Sequence, residues 1–441
     1  MLTRGVHRSH RLLAAIAIVA RHILGYLFGP LRLDRLVHFG HGRSRAGHPT
    51  CFTGPEHVRL AVEELGVASI KIGQILSTRT DLLAPAYQVE LAKLQDSAPP
   101  EPTAIIRDVL VTELGSPIDT VFAVFDPQPM AAASIGQVHA ATLPDGSEVI
   151  VKIRRPGVVE QIELDLQILE ATVRPISRCS RAARRYDLAG LVDEFATTLR
   201  SELDYQREAS NVERFAANFA GDASVHIPRV YRERSTRRVL TLERLRGLKV
   251  DDIAGLDRAG IDRPALAQHA ATVTLRMIFE HGFFHADPHP GNFFIETDGR
   301  IGLIDFGMVG TVDPATRAAL RAILVVLVDR DTAPLVDAFV ALGMTTTPLD
   351  PDQLAPDIDN LISRHLSLPL AEIRLGILLR DLVAIIRHHR LRLPPNLAAL
   401  AKTLAMSEGI AAQLDPSFEM TTAIASYLPY LDEQRERDPP R

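Results

Sequence analysis

The tract His285-Ala286-Asp287-Pro288-His289-Pro290-Gly291-Asn292, followed by Asp305-Phe306-Gly307, constrains this chain more than any other stretch. It spaces an acid, an amide and a second acid along a readable segment. Between Asn292 and Asp305 lie two short apolar runs around Asp298-Gly299, the strongest short-range hairpin signal. A two-residue turn there pairs residues whose numbers sum to 597, which sets Asn292 opposite Asp305. Facing residues have Cβ atoms roughly 5 Å apart. Mg²⁺ takes oxygen ligands at about 2.1 Å and accepts two protein ligands beside water and phosphate. Asn292 and Asp305 are therefore the candidate metal ligands. A surface hairpin with incidental polar ends is the bland alternative, and the joint occurrence of all three groups disfavours it.

The pattern D-x-x-x-x-N with a downstream D-F-G is the plan of kinase catalytic loops, with His285 where those loops carry their own His. Asp287 is then the candidate catalytic base or orienting acid. Lys152, in Val149-Ile150-Val151-Lys152, follows the turn Pro144-Asp145-Gly146 and resembles the V-A-I-K strand whose Lys binds α- and β-phosphates. Lysine is scarce here, only Lys71, Lys93, Lys152, Lys249 and Lys402. Where Arg fills nearly every basic position, a retained Lys points to a need for a compact point charge. Lys152 needs a helix-borne carboxylate to orient it. Glu202, Asp204 and Glu208 all qualify, and the pattern does not choose among them. Ala131-Ala132-Ala133-Ser134 stands where a Gly-rich loop would cover the phosphates. Alanines permit close approach but lack the φ > 0 freedom of Gly.

At 441 residues the chain has room for a large core. Two cysteines, Cys51 and Cys179, give neither a disulfide framework nor a metal knuckle, and fit a reducing compartment. Residues 1–50 hold eight Arg against Asp34, so they carry about +7 in a chain of net −5. Their apolar stretch, Leu12 to Ala20, is too short to span a bilayer. It suits either peripheral contact with an anionic membrane or a plain tail. Periodicity predicts helices over 55–95, Val158 to Val173 and Leu188 to Phe219. It predicts strands at Val121–Phe125, Val138–Leu143, Glu148–Ile153, Arg229–Arg232 and Val239–Leu242. On the third of these Val149, Val151 and Ile153 share one face and Ile150 and Lys152 the other. From Lys249 onward the pattern is mainly helical, apart from the loop and hairpin. The order implies an α+β, two-lobed protein-kinase-like fold with an N-terminal helical extension and a helix-rich C-lobe. The expected parts are a basic segment 1–50, a helical extension 51–120, an N-lobe 121–248 and a C-lobe 249–441.

From about residue 60 to 310 the chain resembles the AarF/UbiB atypical-kinase family. The resemblance is carried by Lys71-Ile72-Gly73-Gln74 (K-x-G-Q), Leu94-Gln95-Asp96, the alanine run, Lys152, Glu202-x-Asp204, Gln206-Arg207-Glu208-Ala209 and the two motifs above. It implies ATP or ADP with Mg²⁺, and Glu208 as the partner of Lys152. It also implies that Lys71 and Gln74 lie on a cover that meets Glu202 and Asp204 and obstructs peptide substrates. The implied role is an ATPase or small-molecule kinase acting on a lipid or isoprenoid-quinone precursor. The implied place is cytoplasmic, peripheral at the inner face of a membrane, with no nucleic-acid partner. Rivals are a small-molecule phosphotransferase of the aminoglycoside or choline-kinase type, which lacks K-x-G-Q, and a nucleotide-sensing scaffold, which would not need an intact acid set. A conventional protein kinase ranks last, because no A-P-E follows Gly307.

Overall fold

The computed structural model describes residues 11–23, 52–78, 82–94, 98–181, 187–329, 342, 356–357, 360–361, 363–365, 375–389 and 394–427. The chain divides into two units, Met1–Arg207 with Tyr231–Thr241, and Glu208–Val230 with Leu242–Arg441.

The first unit begins with α1 (11–23), α2 (Gly54–Leu65), α3 (Val67–Thr78) and α4 (Pro85–Leu91). A capping box of Thr53 and Glu56 starts α2, satisfying donors that a helix end leaves open. Arg11 of α1 grips Asp165 through two hydrogen bonds, 2.9 and 3.1 Å, and Arg21 pairs with Glu64. Then come α5 (Thr103–Leu114), α6 (Ile118–Val121) and the strands β1 (Val124–Ala132), β2 (Gly136–Thr142) and β3 (Glu148–Arg154). With β5 (Val239–Glu243) they form a sheet in the order β1-β2-β3-β5. Val149, Val151 and Ile153 are fully buried and pack with Ile106, Leu110, Ile118 and Phe122 from α5, α6 and the residue after it. A second cluster joins Ala68 of α3, Ile162 and Leu166 of α7 (Val158–Cys179), and Ala196 and Leu199 of α8 (Leu188–Glu202).

Three expected elements differ. The first strand lies later, at Val124–Ala132, because Ile118–Val121 forms a helical turn instead. The helix expected over Leu188 to Phe219 is two, α8 and α9 (Tyr205–Asn218), broken at Leu203-Asp204. Asp204 accepts from the Gln206 N–H at 3.1 Å and so begins the second helix as an N-cap. At Arg229–Arg232 there is a single bridge, Val230 to Leu242, and a 3₁₀ turn at Arg232–Arg234.

The second unit carries β4 (Val225–His226), β6 (Leu248–Lys249), β8 (Phe293–Ile295) and β9 (Ile301–Leu303) in the order β4-β9-β8-β6, and a separate pair of β7 (Phe283–His285) and β10 (Val309–Thr311). Its helices are α10 (Ile253–Arg258), α11 (Arg263–Phe279), α12 (Pro314–Asp329), α13 (Leu375–His388) and α14 (Pro395–Leu414). Buried Leu266, Ala267, Ala271, Leu275 and Ile278 make α11 the core helix. It holds α14 through a buried Thr274–Ser407 hydroxyl pair at 3.2 Å and through Arg263, which donates to the Leu414 carbonyl at 2.9 Å. Glu408 of α14 accepts from the N–H groups of Leu375 and Gly376 at the start of α13, where an anion meets the helix dipole favourably.

Candidate functional site

The hairpin that positions the acid and the amide is built, with a register one step from the expected one. Its pairs are Phe293↔Leu303, Phe294↔Gly302 and Ile295↔Ile301, so paired numbers sum to 596 rather than 597. Glu296 donates to the Arg300 carbonyl at 3.0 Å and Gly299 to the Glu296 carbonyl at 2.9 Å, which closes a three-residue loop, Thr297-Asp298-Gly299. Gly299 takes φ +85°, the left-handed position that such loops reserve for Gly. Asn292 therefore faces Ile304, whose N–H reaches the Asn292 carbonyl at 3.0 Å. Asp305 lies one residue beyond the ladder and not opposite Asn292, which corrects the facing pair. Both still stand at the open end of one hairpin.

Asp305 adopts φ +60°. Non-Gly residues rarely hold this conformation, and Asp and Asn are those that tolerate it best. The next residue fixes it there. Phe306 is fully buried, with its ring 4.9 Å from Phe215 and 5.6 Å from His285, centroid to centroid. Asn211 of α9 donates to the Phe306 carbonyl at 2.9 Å.

The loop is held from behind by His285. Its Nδ1 accepts from the Asp287 N–H at 3.2 Å, so its Nε2 carries the proton and donates to the Ile304 carbonyl at 3.1 Å. Complete burial pushes the imidazole below its ordinary range, against the pull of the Ile304 carbonyl and of Asp305 and Asp287. His285 is thus a neutral strut tying Asp287 to the strand before Asp305. Asn292 turns its Nδ2 to the Asp287 carbonyl at 3.0 Å, which leaves Oδ1 for another partner. An amide oxygen and a carboxylate are hard oxygen donors, suited to Mg²⁺ over a soft metal. The Asp287 carboxylate itself meets Lys402 of α14, Nζ to Oδ1 at 2.8 Å.

In the first unit Lys152 is half-buried on β3, away from the core face as expected. It pairs with Val138, which pairs with Ala131, so Lys152 and Ala131 share one face of one sheet. Ala133 donates to the Gly136 carbonyl at 2.8 Å and closes a tight connection. Any side chain at Gly136 would collide with the Tyr205 hydroxyl and the Ile153 carbonyl. Arg155 clamps the connection from outside. It donates to the carbonyls of Ala133 at 2.8 Å and Pro99 at 2.6 Å, and pairs with Glu101 at 2.8 Å.

Lys71 of α3 reaches Glu202 at the end of α8, Nζ to Oε2 at 3.2 Å. Gln74 donates to the Leu94 carbonyl at 3.2 Å, and Asp204 caps α9 and lies 3.6 Å from Arg237. The two motifs thus meet through Lys71 and Glu202, while Gln74 and Asp204 have other partners. Glu208 is buried in the first turn of α9, in the second unit. The motifs did not point to Arg155 or Lys402. Lysine scarcity was the one signal that could have drawn attention to Lys402.

Residues 93–339 match the profile of the ABC1 atypical kinase-like domain, and residues 358–419 that of the UbiB helical domain. The probable protein kinase UbiB of Marinobacter nauticus is 34% identical over 377 residues, 85% of this chain and 69% of that protein. That of Xanthomonas campestris pv. campestris is 35% identical over 395 residues, 87% of this chain and 71% of that one. The chain spans only 66% and 54% of two uncharacterized Synechocystis relatives, each 35% identical. A Mycobacterium tuberculosis protein solved in complex with erythromycin superposes with a TM-score of 0.57 at 28% identity, over 80% of this chain and 90% of that one.

Proposed function

This chain belongs to the ABC1/UbiB family of atypical kinases, and on that premise we propose that it uses Mg-nucleotide for phosphoryl transfer or hydrolysis in support of isoprenoid-quinone or other membrane-lipid metabolism. The observation that carries this reading is the catalytic loop. Asp287 is fixed through its own backbone by His285 and Asn292, and its carboxylate stays partly exposed beside Lys402.

In this reading Asp287 orients the attacking hydroxyl or water and receives its proton. Asn292 and Asp305 would hold Mg²⁺, whose chemistry there would be to neutralise charge on the phosphates. Lys152 would grip the α- and β-phosphates under the stretch Ala131-Ala132-Ala133-Ser134, and Glu208 keeps the role that the family implies for it. Little covalent work falls to the protein, and fixed charges in fixed places provide most of the acceleration. The extension bearing Lys71 and Gln74, with Glu202 and Asp204, serves as a cover against peptides. The M. tuberculosis relative's complex with erythromycin supports a small-molecule partner over a protein one.

Lipid and quinone profiling tests the pathway. A deletion strain should show an altered isoprenoid-quinone or phospholipid profile that wild type restores and Asp287→Asn does not. Full restoration by Asp287→Asn would favour a scaffold over an enzyme.

Peripheral membrane contact has its own support. Among the described residues no helix is long and apolar enough to cross a membrane. In α1, however, Leu12, Leu13, Ile16, Val19 and Ile23 stay 37–66% exposed while Arg11 and Arg21 tie the helix inward. Leu12, Ile16, Val19 and Ile23 recur at helical spacing, the pattern of an interfacial helix. Removal of residues 1–50 should weaken binding to anionic liposomes, most visibly at low salt. Equal binding by both chains would remove the membrane role of this segment.

A further inference from the structure

The catalytic tract from His285 to Asn292 contains no Lys or Arg. A carboxylate that has to meet a reacting group at a set angle needs a partner to hold it, and this loop offers Asp287 no cation of its own. Here the cation comes from elsewhere in the chain. Lys402 lies 115 residues along, on α14, and its ammonium sits 2.8 Å from Asp287 Oδ1. Among the described residues it is the one cation paired with that carboxylate.

Its placement is built. The neighbouring Thr403 is buried and donates its hydroxyl to the His285 carbonyl at 3.3 Å, so two consecutive residues of α14 meet the catalytic loop. One meets its backbone and the other its acid. Ser407, one turn further, is buried against Thr274 of the core helix, and Leu400, Ile410 and Leu414 are buried along the same helix. The helix is therefore locked, and only the end of the Lys402 side chain projects to the acid. The pair keeps partial access, with the two side chains 18% and 38% exposed, so the acid is held without being sealed away. The chain uses Lys at five positions in all, and this is one of them.

We infer that Lys402 is a positioning residue for phosphoryl transfer: it holds the Asp287 carboxylate in its working orientation, which makes α14 a structural part of the catalytic site. The inference rests on the reading of Asp287 given above. It assigns the helical segment after the kinase-like domain a share in the chemistry rather than in packing alone.

The test is steady-state ATP turnover by the full chain, as wild type, Asp287→Asn, Lys402→Met and Lys402→Arg. Lys402 acts through Asp287 and not through the nucleotide. Lys402→Met should therefore lower kcat by about 10²-fold, the scale of a mispositioned catalytic group, with KM for Mg-ATP changed less than about threefold. Lys402→Arg keeps the charge and should recover part of kcat. If Lys402→Met fails to fold, Lys402→Gln, which retains a donor without the charge, carries the same expectation. A kcat near wild type in Lys402→Met, beside an inactive Asp287→Asn, overturns the inference alone. A fall in kcat matched by a rise in KM and a lower melting midpoint makes Lys402 merely structural and also overturns it. Turnover that survives Asp287→Asn overturns the role of Asp287, and the inference with it.

Discussion

Asp287→Asn is expected to lower ATP turnover by about 10²- to 10⁴-fold, the range for loss of a general base, with little change in fold. The substitution is isosteric. The contacts that set the loop use the Asp287 backbone, its N–H to His285 Nδ1 and its carbonyl from Asn292 Nδ2, and both survive the change. Only the negative charge is lost, and with it the ability to take a proton. Lys402 then faces a neutral amide across a contact that is partly open to solvent, so the effect on stability should be small. Turnover within about threefold of wild type would show that Asp287 neither accepts the proton nor orients the attacking group.

Asp305→Asn should act on the metal instead. Asparagine tolerates the left-handed conformation nearly as well as aspartate, so φ +60° adds no new strain. Burial of Phe306 and the Asn211 bond to its carbonyl keep the backbone in place. What goes is one charged oxygen donor. The affinity for Mg-nucleotide should fall by about tenfold to a hundredfold, the equivalent of roughly 1.5–3 kcal/mol for a charged contact. The affinity for nucleotide measured in chelator should hardly change. Calorimetric titration with and without Mg²⁺ separates the two, and equal Mg²⁺ dependence in both proteins would remove Asp305 from the ligand set.

Local patterns were more legible in the sequence than register and long-range contacts, for physical reasons. The strand with Val149, Val151 and Ile153 was legible because burial on one face imposes a period of two. The hairpin was legible too, but its register was not. Asp298-Gly299 serves a two-residue turn and also the last two positions of a three-residue loop, and the one-residue difference moves Asp305 out of the ladder. The break at Leu203-Asp204 was hidden because the apolar stripe continues through it, and Asp204 acts as a cap only once Gln206 turns its N–H back. Lys402 was invisible to motif reading because nothing local links residue 402 to residue 287. That contact exists only after α14 has packed on α11.

The Arg155 clamp has a thermodynamic consequence. Gly-rich covering loops are floppy before their ligand arrives, and ordering a backbone residue costs about 1–2 kcal/mol. Here the corresponding stretch has alanines in place of glycines, and one guanidinium ties it to the carbonyls of Ala133 and Pro99 and to Glu101. That ordering cost is met during folding rather than at each encounter. A ligand meeting this tied stretch would bind with a smaller entropic penalty and less choice of shape.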